Sequence, residues 1–375
     1  MPNKNKEIGH RPTWAEVNLN SLEHNFKQIK SYLHPQIKVL VTVKADAYGH
    51  GLIPVARRLM VNGVDYLGVA SIDEGIKLRK AHIKIPILVL GLIFEKDIQA
   101  LFNFKLTPTV CDYKLAVALS RNANVLNKPI RLHVKVDTGM GRIGVAHEDA
   151  FELVKKIHKL KSVVIEGIFT HFPFADSSRK FTNFQIKLFD KLVNNLKKEG
   201  IIIPLVHAAN GIGLLDYQDS HFTMVRPGLV IYGLYPKKGL GINLKPVLSL
   251  KTRVVFVKQV PAGYGVSYGH VYKTKRLAYI VTLPIGYGDG YPRNLSNLAP
   301  LLIMGRRFRV SGRICMDQIM VDTGVFKPRI SDEVVLIGNQ GNGKITAEEL
   351  ADLSGTIPYE IVCGLGSRIP RIYIS

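Results

Sequence analysis

The first 240 residues alternate between short apolar runs and segments whose apolar residues recur at helical spacing. Residues 37–43 (IKVLVTV) are almost all apolar or β-branched, which is typical of a buried parallel strand. A glycine-containing turn follows, and then a helical pattern that ends at Gly63. The recurring pattern predicts eight strands, at residues 37–43, 66–70, 87–90, 107–110, 130–136, 163–169, 205–208 and 223–225. Eight strands alternating with helices predict an α/β fold, a (β/α)₈ TIM-type barrel, with a doubly wound sheet as the alternative.

The pattern changes near residues 237–245, a stretch rich in glycine and lysine (KKGLGINLK). Beyond it helical periodicity mostly disappears, and strand-like runs are separated by Gly and Pro turns. The predicted strands are residues 253–257, 277–283, 301–304, 319–321 and 333–337. We therefore predict a polar tail at residues 1–12, the barrel at residues 13–240 and a mainly β C-terminal domain at residues 241–375.

Composition excludes several classes of protein. The net charge is +22, but Lys and Arg are scattered along the chain rather than gathered in one arm, so we do not expect nucleic-acid binding. No run reaches the roughly 20 apolar residues of a membrane span, and the polar start does not resemble a secretory signal. The three cysteines are isolated and no His cluster has metal-ligand spacing, so we expect a cytoplasmic protein without a metal site.

The strongest local motif is VKADAYGHG at residues 43–51, which places Lys44 directly after the first strand. Barrel enzymes build their active sites at this end of the strands. A partly desolvated lysine there has a lowered pKa and forms imines with carbonyl compounds. From the spacing alone, a solvated loop lysine is an equally good interpretation.

The whole string resembles the pyridoxal-phosphate attachment motif of the alanine racemase family. Further resemblances follow in order along nearly the whole chain, and their number and spacing make chance agreement improbable. They are HVKVDTGMGRIG (133–144), GIFTHF (167–172), RPGL (226–229), GYGVSYG (263–269), GYGDGYPR (286–293), GRICMD (312–317) and RIPR (368–371).

The resemblance implies an isomerase that interconverts L- and D-alanine and supplies D-alanine for peptidoglycan. Lys44 is expected to hold pyridoxal 5′-phosphate as an aldimine, which acidifies the substrate Cα–H. Lys44 is then expected to move the proton on one face of the substrate and Tyr268 on the other. In the family this tyrosine comes from the partner subunit, so a homodimer is expected, with Tyr268 and Met316 contributed across its interface.

The resemblance also places Arg226 against the cofactor's pyridine nitrogen. Arginine is always charged and can only donate hydrogen bonds, so it would keep that nitrogen unprotonated and weaken the electron sink. Basic-amino-acid decarboxylases with the same two-domain plan use a carboxylate there. Arg226 therefore argues against a decarboxylase.

The remaining roles are also implied by the resemblance. The phosphate is expected to bind Tyr48, the Asn210-Gly211 turn and the backbone of Gly228 and Leu229, and His171 is expected to contact the cofactor ring. The substrate carboxylate is expected to meet Arg142, helped by the partner's Met316. Lys135 matches a lysine that some members carry as a carbamate.

Two positions depart from the family pattern. Gly211 stands where a serine is usual, and Ser367 stands where many members have a tyrosine. These changes leave open a racemase of broader or different specificity, for lysine or serine for example. A non-catalytic pyridoxal-phosphate-binding protein is a further alternative, although a lone barrel carrier would need neither the second domain nor Tyr268.

Two capping patterns and one decoy complete the prediction. Ser71 followed by Glu74 predicts a capped helix start, as does Thr346 followed by Glu349. Residues 338–344 fit the G-x-x-x-x-G-K pattern of a phosphate-binding loop, but no Ser or Thr follows Lys344. We interpret this segment as a turn, because Asn-Gly pairs are common in hairpins.

Overall fold

The computed structural model describes residues 10–237 and 239–375. The first nine residues of the predicted tail therefore lie outside the described residues. The described chain begins with β1 (Thr13–Asn18) and α1 (Leu19–Ser31). The Asn18 side chain accepts a hydrogen bond from the Ser21 backbone and so caps α1.

A ring of parallel strands follows, and its members match the eight predicted strands to within two residues at each end. The strands are β2 (Lys38–Thr42), β3 (Tyr66–Val69), β4 (Ile87–Val89), β5 (Thr107–Val110), β6 (Ile130–Asp137), β7 (Val145–Ala146, a short addition to β6), β8 (Val163–Phe169), β9 (Leu205–His207) and β10 (Met224–Val225). Their order is β10-β2-β3-β4-β5-β6-β8-β9. Two single backbone bonds, Thr223 N to Val206 O and Arg226 N to Ala209 O, join β10 to β9. The barrel is confirmed, and the alternative of an open doubly wound sheet is wrong.

Helices connect the strands and cover them on the outside. They are α3 (Leu52–Val61), α4 (Ile72–Lys80), α5 (Ile98–Phe104), α6 (Tyr113–Val125), α7 (His147–His158), α8 (Arg179–Lys198) and α9 (Gly211–Asp216), whereas the short segment α2 (Lys44–Tyr48) after β2 is a turn with left-handed backbone. The longest, α8, begins at Ser178, whose side chain accepts from the Phe181 backbone, and its buried face includes Phe189 and Leu192. None of the described helices is long and apolar enough to cross a membrane.

The second part is mainly β, as predicted. Its elements are β11 (Leu248–Arg253), β12 (Phe256–Val260), β13 (Gly265–Val266), β14 (Tyr272–Lys273), β15 (Ala278–Leu283), β16 (Pro300–Ile303), β17 (Arg306–Arg309), β18 (Ile319–Asp322), β19 (Glu333–Gln340), β20 (Gly343–Ile345), α10 (Ala347–Ser354), α11 (Pro358–Cys363) and β21 (Arg371–Ile374). The larger sheet has the order β17-β16-β19-β11-β1-β21, and β12-β15-β18 form a smaller one.

The structure differs from the sequence prediction at two places, one strand that was not predicted and one predicted strand that is wrong. β1 pairs with β11 and β21, so it belongs to the second sheet although it precedes the barrel in sequence. The domain bounds at residues 13 and 240 stay predictions. The predicted strand at residues 253–257 is wrong, because the chain leaves β11 at Arg253 and starts β12 at Phe256 in a different sheet. The decoy loop is the β19–β20 hairpin, in which Gln340 pairs with Gly343, so it is the predicted turn.

Candidate active site

A cavity of about 250 Å³ opens at the carboxyl ends of the barrel strands. It collects nine of the predicted site residues, which are Lys44, Tyr48, Lys135, Arg142, His171, Asn210, Gly211, Arg226 and Gly228. It is also lined by Thr42, Leu90, Ile143, Phe169 and Tyr359. Four of the described lining side chains are lysine or arginine and none is a carboxylate, so the cavity favours anionic ligands.

Lys44 begins a turn of unusual backbone conformation, residues 44–51, which we call the Lys44 turn. The φ angles of the four residues after Lys44 are 52° for Ala45, 53° for Asp46, and 54° for both Ala47 and Tyr48. Left-handed backbone costs about 1–2 kcal/mol for each non-glycine residue. Such a run persists only if surrounding contacts hold it.

Contacts from the barrel hold the start of the Lys44 turn. Glu74 accepts a hydrogen bond from the Ala45 backbone at 2.7 Å and another from the Ala70 backbone at 2.7 Å. The Asp46 side chain accepts from the Leu52 backbone at 2.8 Å. Ser71 caps α4 as predicted, but the Glu74 carboxylate reaches the Lys44 turn instead of completing a capping box.

The second domain holds the end of the Lys44 turn. Gly49 has a φ of 78°, and a Cβ there would overlap the carbonyl oxygen of Val362. Gly51 has a φ of 94°, and a Cβ there would overlap the hydroxyl of Tyr373. Arg371 Nε donates to the Gly49 carbonyl at 3.1 Å. The position of Lys44 therefore depends on both parts of the chain.

The environment of Lys44 favours its neutral amine. Burial and the nearby charge of Arg142 lower the pKa of Lys44, against smaller opposing effects of Cys363 and Glu74. A neutral amine is the nucleophilic form, so Lys44 is suited to bond with a carbonyl carbon.

Tyr48 and Gly228 meet at one wall of the cavity. The Tyr48 ring is buried and lies 5.0 Å from the Tyr232 ring, between centroids. A Cβ at Gly228 would lie 2.9 Å from the Tyr48 hydroxyl, so only glycine allows this approach. Leu229 does not line the cavity, because its side chain is buried in the core at the start of a 3₁₀ turn.

Asn210 and Gly211 form the neighbouring wall. The Asn210 side chain accepts from the Gly213 backbone at 2.9 Å and so caps α9. A Cβ at Gly211 would lie 3.3 Å from both methyl groups of Val230, a tight but not forbidden distance. Gly211 therefore lines the cavity with backbone alone, and a Cβ at this position would pack against the core residue Val230.

Lys135 and Arg142 come from β6 and the loop after it. Lys135 is buried, and its Nζ donates to the Val136 carbonyl at 2.8 Å. Burial, together with the charges of Arg226 and Arg142, lowers the pKa of Lys135 to about 7. The Asp137 side chain accepts three backbone N–H bonds from residues 139–141 and so holds the turn that precedes the exposed Arg142.

Arg226 and His171 complete the lining of the cavity. Arg226 is buried, and its Nη2 donates to the carbonyls of Thr170 at 2.6 Å and Ala208 at 3.0 Å. Burial and the charges of Arg226 and Lys135 hold the pKa of His171 well below its ordinary value. A histidine that stays neutral among cations suits packing against an aromatic ligand.

The two predicted residues of the second domain lie outside this cavity. Tyr268 and Met316 do not line it, and they are 68% and 53% exposed. Tyr268 begins a 3₁₀ turn next to Ser267, whose φ is 64° and whose hydroxyl donates to the Arg313 carbonyl at 2.5 Å. The chain thus presents Tyr268 outward on an ordered turn.

Sequence reasoning missed two cavity residues with clear contacts. The Phe169 ring lies under two cations, 5.4 Å from Lys135 Nζ and 5.3 Å from the Arg226 guanidinium carbon. Phe169 ends a predicted strand, so its place at the carboxyl end was a usable signal. Tyr359 comes from α11 of the second domain, and no local pattern indicates that it reaches the barrel.

Comparison with known families covers nearly the whole chain. Residues 17–236 match the family described as alanine racemase, N-terminal domain. Residues 247–373 match alanine racemase, C-terminal domain. The two matches cover the barrel and the second domain.

Individual relatives are similar to this chain in sequence along nearly their full lengths. The chain is 48% identical over 373 residues to an alanine racemase of Halothermothrix orenii, with 98% of each chain covered. It is 44% identical over 371 residues to one of Carboxydothermus hydrogenoformans, with 97% of this chain and 100% of that chain covered.

Solved structures show the same architecture. An alanine racemase of Clostridium difficile 630 superposes with a TM-score of 0.92 at 39% identity, covering 97% of this chain and 96% of that one. An alanine racemase of Bacillus anthracis with bound L-Ala-P superposes with a TM-score of 0.91 at 35% identity, covering 98% and 96%.

Proposed function

The chain belongs to the alanine racemase family, and we propose that it interconverts L-alanine and D-alanine with pyridoxal 5′-phosphate as its cofactor. The observation that carries the proposal is that Lys44 and Arg226 face one cavity whose described lining has four lysine or arginine side chains and no carboxylate. The same family membership supports a cytoplasmic role in supplying D-alanine for peptidoglycan.

The residues fit this cofactor. Lys44, whose pKa is lowered by burial, suits attachment of an aldehyde through Nζ. Tyr48, beside the close approach of Gly228, and the backbone around Asn210, Gly211 and Leu229 would hold the phosphate. His171 would pack against the ring. Pyridoxal phosphate, when bound, supplies an electron sink that acidifies the Cα–H of an amino acid.

Two bases on opposite faces of the substrate would move the proton. Lys44 Nζ serves one face, and the phenol oxygen of Tyr268 of the partner subunit serves the other. The outward placement of Tyr268 and Met316 supports a homodimer, because neither residue lines the cavity of its own chain. Arg142, helped by the partner's Met316, would bind the substrate carboxylate.

We further propose that Lys135 is carbamylated. A neutral lysine amine adds to carbon dioxide and releases one proton, and the pKa of about 7 makes the neutral amine available. The product carries a negative charge, which suits a buried position between Arg142 and Arg226 better than a third cation does.

A racemase of broader specificity is the second candidate. Gly211 lacks the side chain that is usual in the family, and Ser367 lies at the exposed mouth of a neighbouring cavity beside the Lys44 turn. Both substitutions put a smaller residue near the site. A decarboxylase is disfavoured because Arg226 stands where such an enzyme needs a carboxylate.

The test is racemisation of a panel of single L-amino acids by purified protein with added cofactor. We expect alanine to be turned over best, and Lys44→Ala and Tyr268→Phe to lose that activity. Tyr113→Phe, which changes an exposed tyrosine on a barrel helix, is the matched control. Cofactor uptake without racemisation of any amino acid would instead favour a non-catalytic pyridoxal-phosphate-binding protein.

The origin of the tyrosine is tested by mixing the two inactive variants. If Tyr268 acts across the interface, a mixed dimer has one intact site, and random mixing restores about a quarter of the wild-type activity. If Tyr268 acts within its own chain, every site in the mixture lacks one residue and no activity returns.

A further inference from the structure

Arg226 is the first member of a row of buried side chains that crosses the barrel interior. Its Nη1 lies 2.8 Å from His207 Nδ1, and His207 Nε2 lies 2.9 Å from His133 Nδ1. His133 Nε2 lies 3.6 Å from Glu166 Oε2, and neither of these two atoms has a hydrogen-bond partner within normal distance among the described residues. We call these four residues the Arg226 row.

The barrel interior leaves space for the rings of the Arg226 row. His133 is on β6 and His207 is at the end of β9, and both side chains are fully buried. Strand β8 lies between β6 and β9, so the two rings meet across β8. A Cβ at Gly167 of β8 would overlap the His133 ring, so glycine is needed for the ring to lie there. The His207 ring is stacked on Phe169, with 4.8 Å between centroids and 4° between planes.

The donors and acceptors of the Arg226 row can be assigned in only one direction, from Arg226 toward Glu166. Arginine only donates, so His207 Nδ1 must accept and the neutral ring carries its proton at Nε2. That proton is donated to His133 Nδ1, so His133 in turn carries its proton at Nε2, facing Glu166. A protonated His133 would require His207 to lose both ring protons, which excludes that state while Arg226 keeps its contact.

The electrostatics of the two rings agree with this direction. Burial and the charge of Arg226 lower the pKa of both His207 and His133, against an opposing effect of Glu166 on His133, so both stay neutral. At the far end, burial raises the pKa of Glu166, but contacts with His133, Arg131 and Tyr66 outweigh it and bring the pKa to about 2. The row therefore joins a cation to an anion through two neutral rings.

Glu166 lies at the opposite end of the barrel from the candidate active site. It accepts from Arg131 at 2.9 Å and lines a separate cavity of about 660 Å³ near the amino ends of the strands. The basic side chains around that cavity are Arg79, Lys84, Lys105 and Arg131, together with His82, and Glu166 is its acidic residue.

We propose that His207, His133 and Glu166 are positioning residues that hold Arg226 as a fixed hydrogen-bond donor toward the cavity. Three of its N–H bonds are directed at His207, Thr170 and Ala208, so the guanidinium cannot turn away from the cavity that it lines. The consequence for the cofactor nitrogen rests on the proposed function. The direction of the row does not.

The direction is tested by nitrogen NMR of the histidines in the ligand-free protein. We expect His207 and His133 to stay neutral and protonated at Nε2 between about pH 5.5 and 8.5. His50 is an internal control of opposite type, because its Nδ1 faces the Ala47 and Tyr48 carbonyls at 3.1 and 2.8 Å and must donate. Protonation of His207 or His133 at Nδ1, or titration of either ring in this range, would overturn the proposal.

The consequence is tested with His207→Leu and His207→Gln in the protein with bound cofactor. Leucine removes the acceptor for Arg226, whereas a glutamine can accept from Arg226 and donate to His133. We expect His207→Leu to weaken cofactor binding or kcat/KM by about 10- to 100-fold and to shift the cofactor absorbance, and His207→Gln to restore both.

The outcomes separate the two proposals. Equal behaviour of the leucine and glutamine variants would overturn the positioning role, whatever the activity of the wild type. If the wild type binds no cofactor, the proposed function fails, and the NMR result still decides whether the row has the inferred direction. Glu166→Gln removes the anion while keeping an acceptor, and we expect a loss smaller than that of His207→Leu.

Discussion

The Lys44 turn and the Arg226 row each place a basic side chain in the same cavity, but different kinds of contact stabilise the two regions. The Lys44 turn has four consecutive left-handed residues and is held by contacts from α4 and from the second domain. The Arg226 row lies on or next to regular parallel strands and has no residue of positive φ. One region is strained backbone braced from outside, and the other is ordinary backbone with unusual side-chain contacts.

This difference shows on which part of the chain the position of each side chain depends. Because the second domain contacts the Lys44 turn and not the row's hydrogen bonds, disturbing that contact should displace Lys44 and leave Arg226 in place. Changes inside the barrel should do the reverse.

The largest effect is expected for Gly49→Ala. The new Cβ meets the Val362 carbonyl, and its backbone has a φ of 78°, so strain and overlap add to about 2–5 kcal/mol of lost unfolding free energy. Gly63→Ala is the matched control, because Gly63 has a φ of 75° with nothing within 4 Å. It should lose only about 1–2 kcal/mol. Urea unfolding measures both, and equal losses would mean that the second domain does not brace the turn.

The second prediction concerns two glutamates in equivalent places. Glu74 and Glu349 both lie three residues after a capping side chain, but Glu74 accepts from Ala45 whereas Glu349 pairs with exposed Arg307. Glu74→Ala leaves backbone donors unpaired and should cost about 1–3 kcal/mol, against less than about 1 kcal/mol for Glu349→Ala. Only Glu74→Ala should slow reaction of Lys44 with pyridoxal phosphate, followed by absorbance. Equal rates in the two variants would count against the bracing role of Glu74.

The sequence predicts the Arg226 end of the site better than the Lys44 end. The alternation of short strand-like runs with helical patterns predicts all eight barrel strands, so Arg226, directly after the last of them, falls at the correct end of the barrel. The sequence Ala-Asp-Ala-Tyr after Lys44 carries no signal for left-handed backbone, because distant contacts impose that conformation. The contact between His133 and His207 was also missed, since it joins residues 74 positions apart across the barrel interior.

The second domain was predicted as a class but not in detail. Four of the six residues of β1 are buried, and no local pattern shows that it pairs with β11 and β21 rather than with the barrel. Tyr359 reaches the cavity only through the packing of α11. The roles of Tyr268 and Met316 stay predictions that the dimer experiment tests.

The third prediction uses pH to test the burial of Lys135 in the barrel interior. The pKa of Lys135 is about 7 in the native protein against an ordinary 10.5, so the unfolded chain binds more protons between these values. Unfolding free energy should therefore rise with pH from about 7 to 10.5, by at most about 1.4 kcal/mol per pH unit. In buffers free of carbon dioxide, Lys135→Met should flatten this rise, whereas exposed Lys84→Met should keep it. A slope unchanged in Lys135→Met would show that Lys135 is not buried as a neutral amine.

The smallest expected effect distinguishes a loss of unfolding free energy from a change in the position of Lys44. Ser71 and Ser178 both cap barrel helices by accepting a backbone N–H at 3.3 Å, from Glu74 and Phe181. Each change to alanine should cost about 1 kcal/mol of unfolding free energy. Only Ser71→Ala loosens the helix turn that carries Glu74, so it alone should slow attachment of pyridoxal phosphate to Lys44, and neither should alter the NMR signals of His207. If Ser178→Ala slows the attachment equally, general loosening of the barrel is the cause, and the contrast between the two regions fails at this point.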